Sequence, residues 1–175
     1  MKTRKIVTSG LLIAIGLLLP MLFHSINLGG QIFLPMHIPV LIGGMILGPL
    51  YGSIVGLITP ILSSFFTGMP LAFPMLPIMV FELGIYGLTA GYFSKIFPKR
   101  IFLPLLAAMI DGRITAGLVV FVLSRFFGSD LNPLIFLKGA IITGLPGIMI
   151  QLILIPPIII GLRKSLSSSG QDLKS

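Results

Sequence analysis

The sequence predicts an all-α membrane protein of six transmembrane helices with both termini in the cytoplasm. Three observations carry this. Apolar residues make up 55% of the 175 and charged residues 9%, with a mean hydropathy of +1.13, whereas soluble domains carry roughly 25% charged residues. The apolar residues form runs as long as or longer than the roughly 17–25 residues that cross a bilayer. The 12 Lys and Arg fall in short clusters between these runs, where cytoplasmic flanks carry them, so the net charge of +8 does not signal nucleic acid. The absence of cysteine excludes disulfides, thiolate metal sites and cysteine nucleophiles. One domain is expected over 1–165, followed by a polar cytoplasmic tail over 166–175.

The first span follows Lys2, Arg4 and Lys5 and runs from Ile6 to Phe23. A basic head before an apolar core also describes a signal peptide, but no small-x-small cleavage site follows Phe23 and the chain downstream stays membrane-like. A retained span with its N-terminus inside is therefore expected.

Four further apolar stretches follow, Leu34–Phe66, Met75–Phe97, Ile101–Phe127 and Leu137–Leu162. The last three each suit one tilted span. At about 1.5 Å per residue Leu34–Phe66 would make a helix of roughly 50 Å, too long for one crossing. Gly48-Pro49-Leu50-Tyr51-Gly52 supplies a helix stop and a turn in its middle, giving two short spans, Ile38–Leu47 and Leu50–Phe66. Charge parity tests the split. Lys2/Arg4/Lys5, Lys95/Lys99/Arg100 and Arg163/Lys164 share one side only if an even number of crossings separates them, and the split provides it. The outer segments are then His24–His37, Thr67–Pro74 and Gly128–Phe136.

Small residues recur at spacings of four in Gly10-Ala14, Gly44-Gly48-Gly52-Gly56, Gly87-Gly91 and Gly112-Ala116. Such rows let helices approach closely in lipid. Packing within the bundle accounts for most of them, while Gly10 and Ala14, near the cytoplasmic end of the first span, also suit a partner subunit.

Charges inside spans are costly, which makes Glu82, Asp111 and Arg113 functional candidates. Glu82 lies about 10 Å below the outer surface, and Arg113 rises about 18 Å through a core of roughly 30 Å, so the two share a depth. An ion pair between them is within reach, serving either the fold alone or a polar ligand. Nearer the surface lie Arg125, Asp130, Asn132 and Lys138, with His37, Gln31 and Asn27 in the first outer segment. Arg125 and Lys138 are either snorkelling anchors or contacts for an anionic group arriving from outside. Thr143 falls at the depth of Glu82 and offers a hydroxyl to the same cavity, whereas Gln151 lies deeper, between helices. The outer segments combine turn formers with Phe, Met and Pro, as in Thr67-Gly68-Met69-Pro70, which suits lids folded over a cavity mouth.

No phosphate loop, H-E-x-x-H or G-x-S-x-G motif is present, so neither ATP hydrolysis nor an enzymatic site is expected, and no cofactor is implied. No filter-like loop suggests a channel.

Leu34-Pro35-Met36-His37-Ile38-Pro39-Val40, Gly48-Pro49-x-Tyr51-Gly52, Thr59-Pro60-x-Leu62-Ser63-Ser64, Thr67-Gly68-Met69-Pro70 and Glu82-Leu83-x-x-Tyr86-Gly87 together resemble the S components of energy-coupling factor (ECF) vitamin transporters. Among these the chain looks most like the pantothenate type. The resemblance spans essentially the whole chain. It implies a membrane-embedded subunit that captures a vitamin at an outward-facing cavity and docks on a transmembrane coupling subunit with two ABC ATPases. It also implies docking through a small-residue motif in the first span, to which Gly10-Leu11-Leu12-Ile13-Ala14 is similar with Gly for the first Ala. The substrate-binding residues so expected are Arg113, Glu82, Tyr86, Thr143, Asn132, Lys138, Arg125, His37, Thr67 and Met69. Arg113 is the first choice to meet the pantothenate carboxylate; if Glu82 fully occupies it, Lys138 or Arg125 takes that role. Other vitamins or precursors (niacin, pyridoxine, folate, cobalamin) are alternatives, as is a structural protein of a cell-envelope complex whose buried charges only hold helices together.

Overall fold

The computed structural model describes residues 2–25 and 33–168. Six helices follow one another within them: α1 (Lys2–Ser25), α2 (His37–Leu47), α3 (Pro49–Thr67), α4 (Met75–Ile96), α5 (Phe102–Phe126) and α6 (Pro133–Ser168). No strand occurs among the described residues. Five helices are long and apolar enough to cross a membrane. The exception is α2, whose 11 residues rise about 16 Å, roughly half of a bilayer core.

The break between α2 and α3 falls where the turn residues predict it. Gly48 adopts φ 95°, a conformation that side chains rarely take, its N–H donates to the Gly44 carbonyl at 3.0 Å, and Pro49 opens α3 with the fixed φ suited to a first helical turn. The end of α3 away from Gly48 is closed by its own hydroxyls. Ser63 Oγ donates to the Met69 carbonyl at 2.8 Å and Ser64 Oγ to the Pro70 carbonyl at 2.7 Å, which folds the α3–α4 connection back onto the helix.

At the centre, α4 packs against α2, α3 and α5. The glycine rows make this approach close. A Cβ at Gly56 would collide with the Leu83 carbonyl, and one at Gly87 with the Gly52 carbonyl, so α3 and α4 meet backbone to backbone. Val40, Leu41, Met45, Val55, Leu83 and Ala90 fill the core between them. The flanks are looser: α1 packs along α2 and α3, and α6 along α5 and α2, with Arg163 of α6 reaching Ser94 of α4. Outward faces carry bare apolar side chains, with Phe65 82% and Phe126 73% exposed, as suits helices clothed in lipid.

Helix α1 begins at Lys2, within the basic head and four residues before the expected Ile6, and both ends of α6 also differ from expectation. Helix α6 begins at Pro133 rather than Leu137, because Asn132 Oδ1 accepts the Leu134 and Ile135 amides at 3.0 and 3.3 Å and caps the helix. It also continues to Ser168, past the apolar stretch that ends at Leu162.

The three basic clusters gather at one end of the bundle. Arg163 donates to the Pro98 carbonyl and, through Nη2 at 2.9 Å, to Ser94 Oγ, which itself donates to the Met45 carbonyl at 3.1 Å. Lys95 lies beside Gly48, and Lys5 Nζ stands 5.9 Å from the centre of the Tyr51 ring.

Candidate functional site

Away from that basic end, four polar side chains from three helices meet in the interior. Glu82 and Tyr86 stand one helical turn apart on the buried face of α4, and Glu82 lies twelve residues, about 18 Å, from Ser94 at the basic end. His37 opens α2 and is 2% exposed; Glu82 is 4% exposed. Arg113 reaches inward from α5, where its Nη1 donates to Glu82 Oε1 at 2.8 Å.

Glycines make the room. Gly112, next to Arg113, packs so closely on the Tyr86 ring that a Cβ there would overlap it, and Gly144 on α6 leaves space for the guanidinium, whose Nη2 lies 3.2 Å from where a Cβ would stand. The Tyr86 ring in turn meets His37 edge to face, with centroids 4.9 Å apart. Leu34 closes the group. Its side chain reaches the same Gly144 position, its φ of 49° is unusual for a leucine, and its carbonyl accepts the Gln151 amide at 3.4 Å.

The hydrogen-bonding pattern is unfinished. Arg113 Nε and Nη2 and both ring nitrogens of His37 are buried without a hydrogen-bond partner, and His37 Nε2 is 3.7 Å from Glu82 Oε1, beyond hydrogen-bond length. A buried donor left unpaired costs about 1–3 kcal/mol, more when it is charged. Glu82 occupies Nη1 alone, so the free atoms lie on the edge of the guanidinium formed by Nε and Nη2. Two parallel N–H groups on one edge match the two oxygens of a carboxylate.

The residues proposed from sequence divide into two groups. Arg113, Glu82, Tyr86 and His37 converge. The others do not reach them. Thr143 shares their level but lies on the exposed side of α6, one position from the buried Gly144. Asn132 is exposed and caps α6; Lys138 and Arg125 are exposed. Thr67 Oγ1 donates to the Ser63 carbonyl at 2.7 Å and accepts the Met69 amide at 3.2 Å, while the Met69 side chain is exposed, so this pair shapes the loop over α3. Asn27 and Gln31 lie outside the described residues. Gln151 is buried, as a residue between helices should be, but its bond to Leu34 ties it to the cluster. Asp111 stands apart, accepting from Thr89 Oγ1 at 3.1 Å.

A family model for the substrate-specific component of ECF transporters matches residues 4–159, nearly the entire set of helices. The chain belongs to that family. Comparison with curated proteins and with solved structures finds no match. As an S component, the chain is a multi-pass protein of a prokaryotic cell membrane and a transport subunit rather than an enzyme. Its partners are a small-molecule substrate and the coupling and ATPase subunits of the transporter. The absent phosphate loop agrees with that division of labour. The interior cluster is the strongest candidate for the substrate site of this S component, since it gathers buried polar groups beneath the α3–α4 loop end of the bundle.

Proposed function

We propose that this S component captures a water-soluble vitamin bearing a carboxylate, with pantothenate first, for import powered by the coupling and ATPase subunits. The observation that carries the reading is the free Nε and Nη2 edge of Arg113, buried beside an occupied Nη1. A carboxylate there completes the guanidinium while Glu82 balances its charge, and the bare nitrogens of His37 take up hydroxyl or amide groups. Pantothenate supplies one carboxylate, two hydroxyls and an amide; its gem-dimethyl group calls for an apolar wall, of the kind that Leu34 offers. Nicotinate is the second reading, favoured by the crossed rings of His37 and Tyr86, against which a flat aromatic acid stacks.

In this reading the six helices cross the membrane with both termini in the cytoplasm, α2 reaching only partway by itself, and the cluster opens toward the outside. Docking on the coupling subunit falls to α1. Its Gly10 and Ala14 are exposed, and a Cβ at Gly10 meets nothing within 4 Å, so this small face takes no part in holding the bundle together. Native mass spectrometry of the detergent-purified chain tests the function directly, followed by calorimetry with pantothenate, its neutral alcohol pantothenol, and nicotinate. A co-purified carboxylate vitamin, with pantothenol bound much more weakly than pantothenate, is the expected result. A neutral vitamin bound stoichiometrically would overturn the carboxylate assignment, and no binding of any vitamin would overturn the vitamin assignment and leave another small-molecule substrate.

A further inference from the structure

The connection between α4 and α5 holds a feature that substrate capture does not use. Lys99, Arg100, Ile101, Phe102, Leu103 and Leu106 line an open groove of about 510 Å³ at the basic end of the bundle. Lys99 and Arg100 are exposed, and the charged contacts to Glu82 are made by His37 and Arg113, far up the same helix bundle. Beyond these two cations the wall turns apolar, with Phe102 56% and Leu106 46% exposed along the outward side of α5. Helix α5 starts inside the groove without a side-chain cap, which adds its positive end to the two charges.

We propose that this groove is a binding site for an anionic glycerophospholipid. The arrangement matches one such molecule in three respects. Lys99 and Arg100 meet the head-group phosphate, the apolar wall of Phe102, Leu103 and Leu106 receives the upper part of an acyl chain, and the groove lies at the end of a membrane-crossing helix, where lipid head groups stand. A soluble anion would have no use for the apolar wall, and a zwitterionic lipid would gain less from two unpaired cations. Net charge alone does not produce the feature. The clusters at Lys2/Arg4 and Arg163/Lys164 carry the same charge, but Arg163 is already engaged by the Pro98 carbonyl and Ser94 Oγ.

The test compares three proteins in nanodiscs or mixed micelles of phosphatidylcholine with and without phosphatidylglycerol: the unaltered chain, Lys99→Gln/Arg100→Gln, and Lys2→Gln/Arg4→Gln, which removes the same charge elsewhere. Native mass spectrometry reads the lipid retained, and circular dichroism checks folding. The unaltered chain is expected to retain phosphatidylglycerol over phosphatidylcholine. Each cation removed from the groove lowers that preference about fivefold, and the double change about thirtyfold, with the Lys2/Arg4 control close to the unaltered chain. Equal retention of the two lipids by the unaltered chain would overturn the proposal. So would equal losses in both variants, which would mean a diffuse attraction to the whole basic end. If Lys99→Gln/Arg100→Gln keeps its phosphatidylglycerol but no longer assembles with the coupling subunit, the groove is a protein-docking surface and the lipid assignment is wrong.

Discussion

A guanidinium with one nitrogen engaged and one edge bare responds to mutation in two separable ways. Arg113→Met removes the bare guanidinium edge and also strands Glu82, a 4% exposed carboxylate, without its counter-charge. Breaking a buried pair from one side costs on the order of 3–5 kcal/mol, which would appear as a lower melting temperature. Affinity for pantothenate is expected to fall more than tenfold, about 1.4 kcal/mol, in calorimetry. The double change Glu82→Gln/Arg113→Met separates the two effects. It is expected to recover most of the thermal stability, since no lone charge remains, without recovering binding. Unchanged affinity in folded Arg113→Met protein would leave Arg113 as a packing charge only. Pantothenol sharpens the reading, because its preference deficit relative to pantothenate should vanish in Arg113→Met and persist in Lys138→Met, which alters an exposed side chain. Thr143→Val, on the outer side of α6, should leave affinity within a factor of two of the unaltered chain, an energy difference of about 0.4 kcal/mol.

At the scale of the helix, the contrast between two glycine rows makes a prediction about stability. Gly56 faces the Leu83 carbonyl of α4 so closely that any side chain must push the helices apart, whereas Gly10 on α1 has nothing within 4 Å of its would-be Cβ. Gly56→Ala should lower the melting temperature markedly or abolish folding, and Gly10→Ala should leave it unchanged or slightly raised, since alanine favours the helix by up to about 1 kcal/mol. Equal tolerance of both would mean that α3 and α4 are not locked through backbone contact. The sequence already marks these rows, and it marks the break at Gly48 and the pairing of Glu82 with Arg113, because glycine spacing, turn chemistry and charge depth are each local signals. What it does not reveal is the rotation of a helix about its axis. Helix α6 carries few polar residues in its apolar stretch and Lys138, Thr143 and Gln151 share no one face, so no periodicity phases it, and Thr143 at the correct level faces away while its neighbour Gly144 faces Arg113. The same silence hides Leu34, which acts through a backbone conformation, and the Asn132 cap, which lengthens α6 by one turn into a segment read as loop.

For the whole molecule, the consequence of carrying a substrate site and no ATP site is that binding and transport must separate experimentally. The purified chain should bind its vitamin but accumulate none in proteoliposomes, with or without ATP, and accumulation should appear only when the coupling and ATPase subunits are reconstituted beside it. The bundle suggests where that dependence enters. Helix α1 is held by α2 and α3 alone, and its small-residue face is turned outward, unlike the rows buried between α3 and α4. A bulky residue there does not disturb the interior cluster, which draws on α2, α4 and α5. Gly10→Leu and Ala14→Leu are therefore expected to fold, to bind the vitamin with unaltered affinity, and to lose co-purification with the coupling subunit, because close helix approach in lipid requires the flat face that the new side chain fills. Uptake should fall in step with assembly. Variants that fold, bind and still support full uptake would remove α1 from the docking surface and leave the assignment to another face of the bundle.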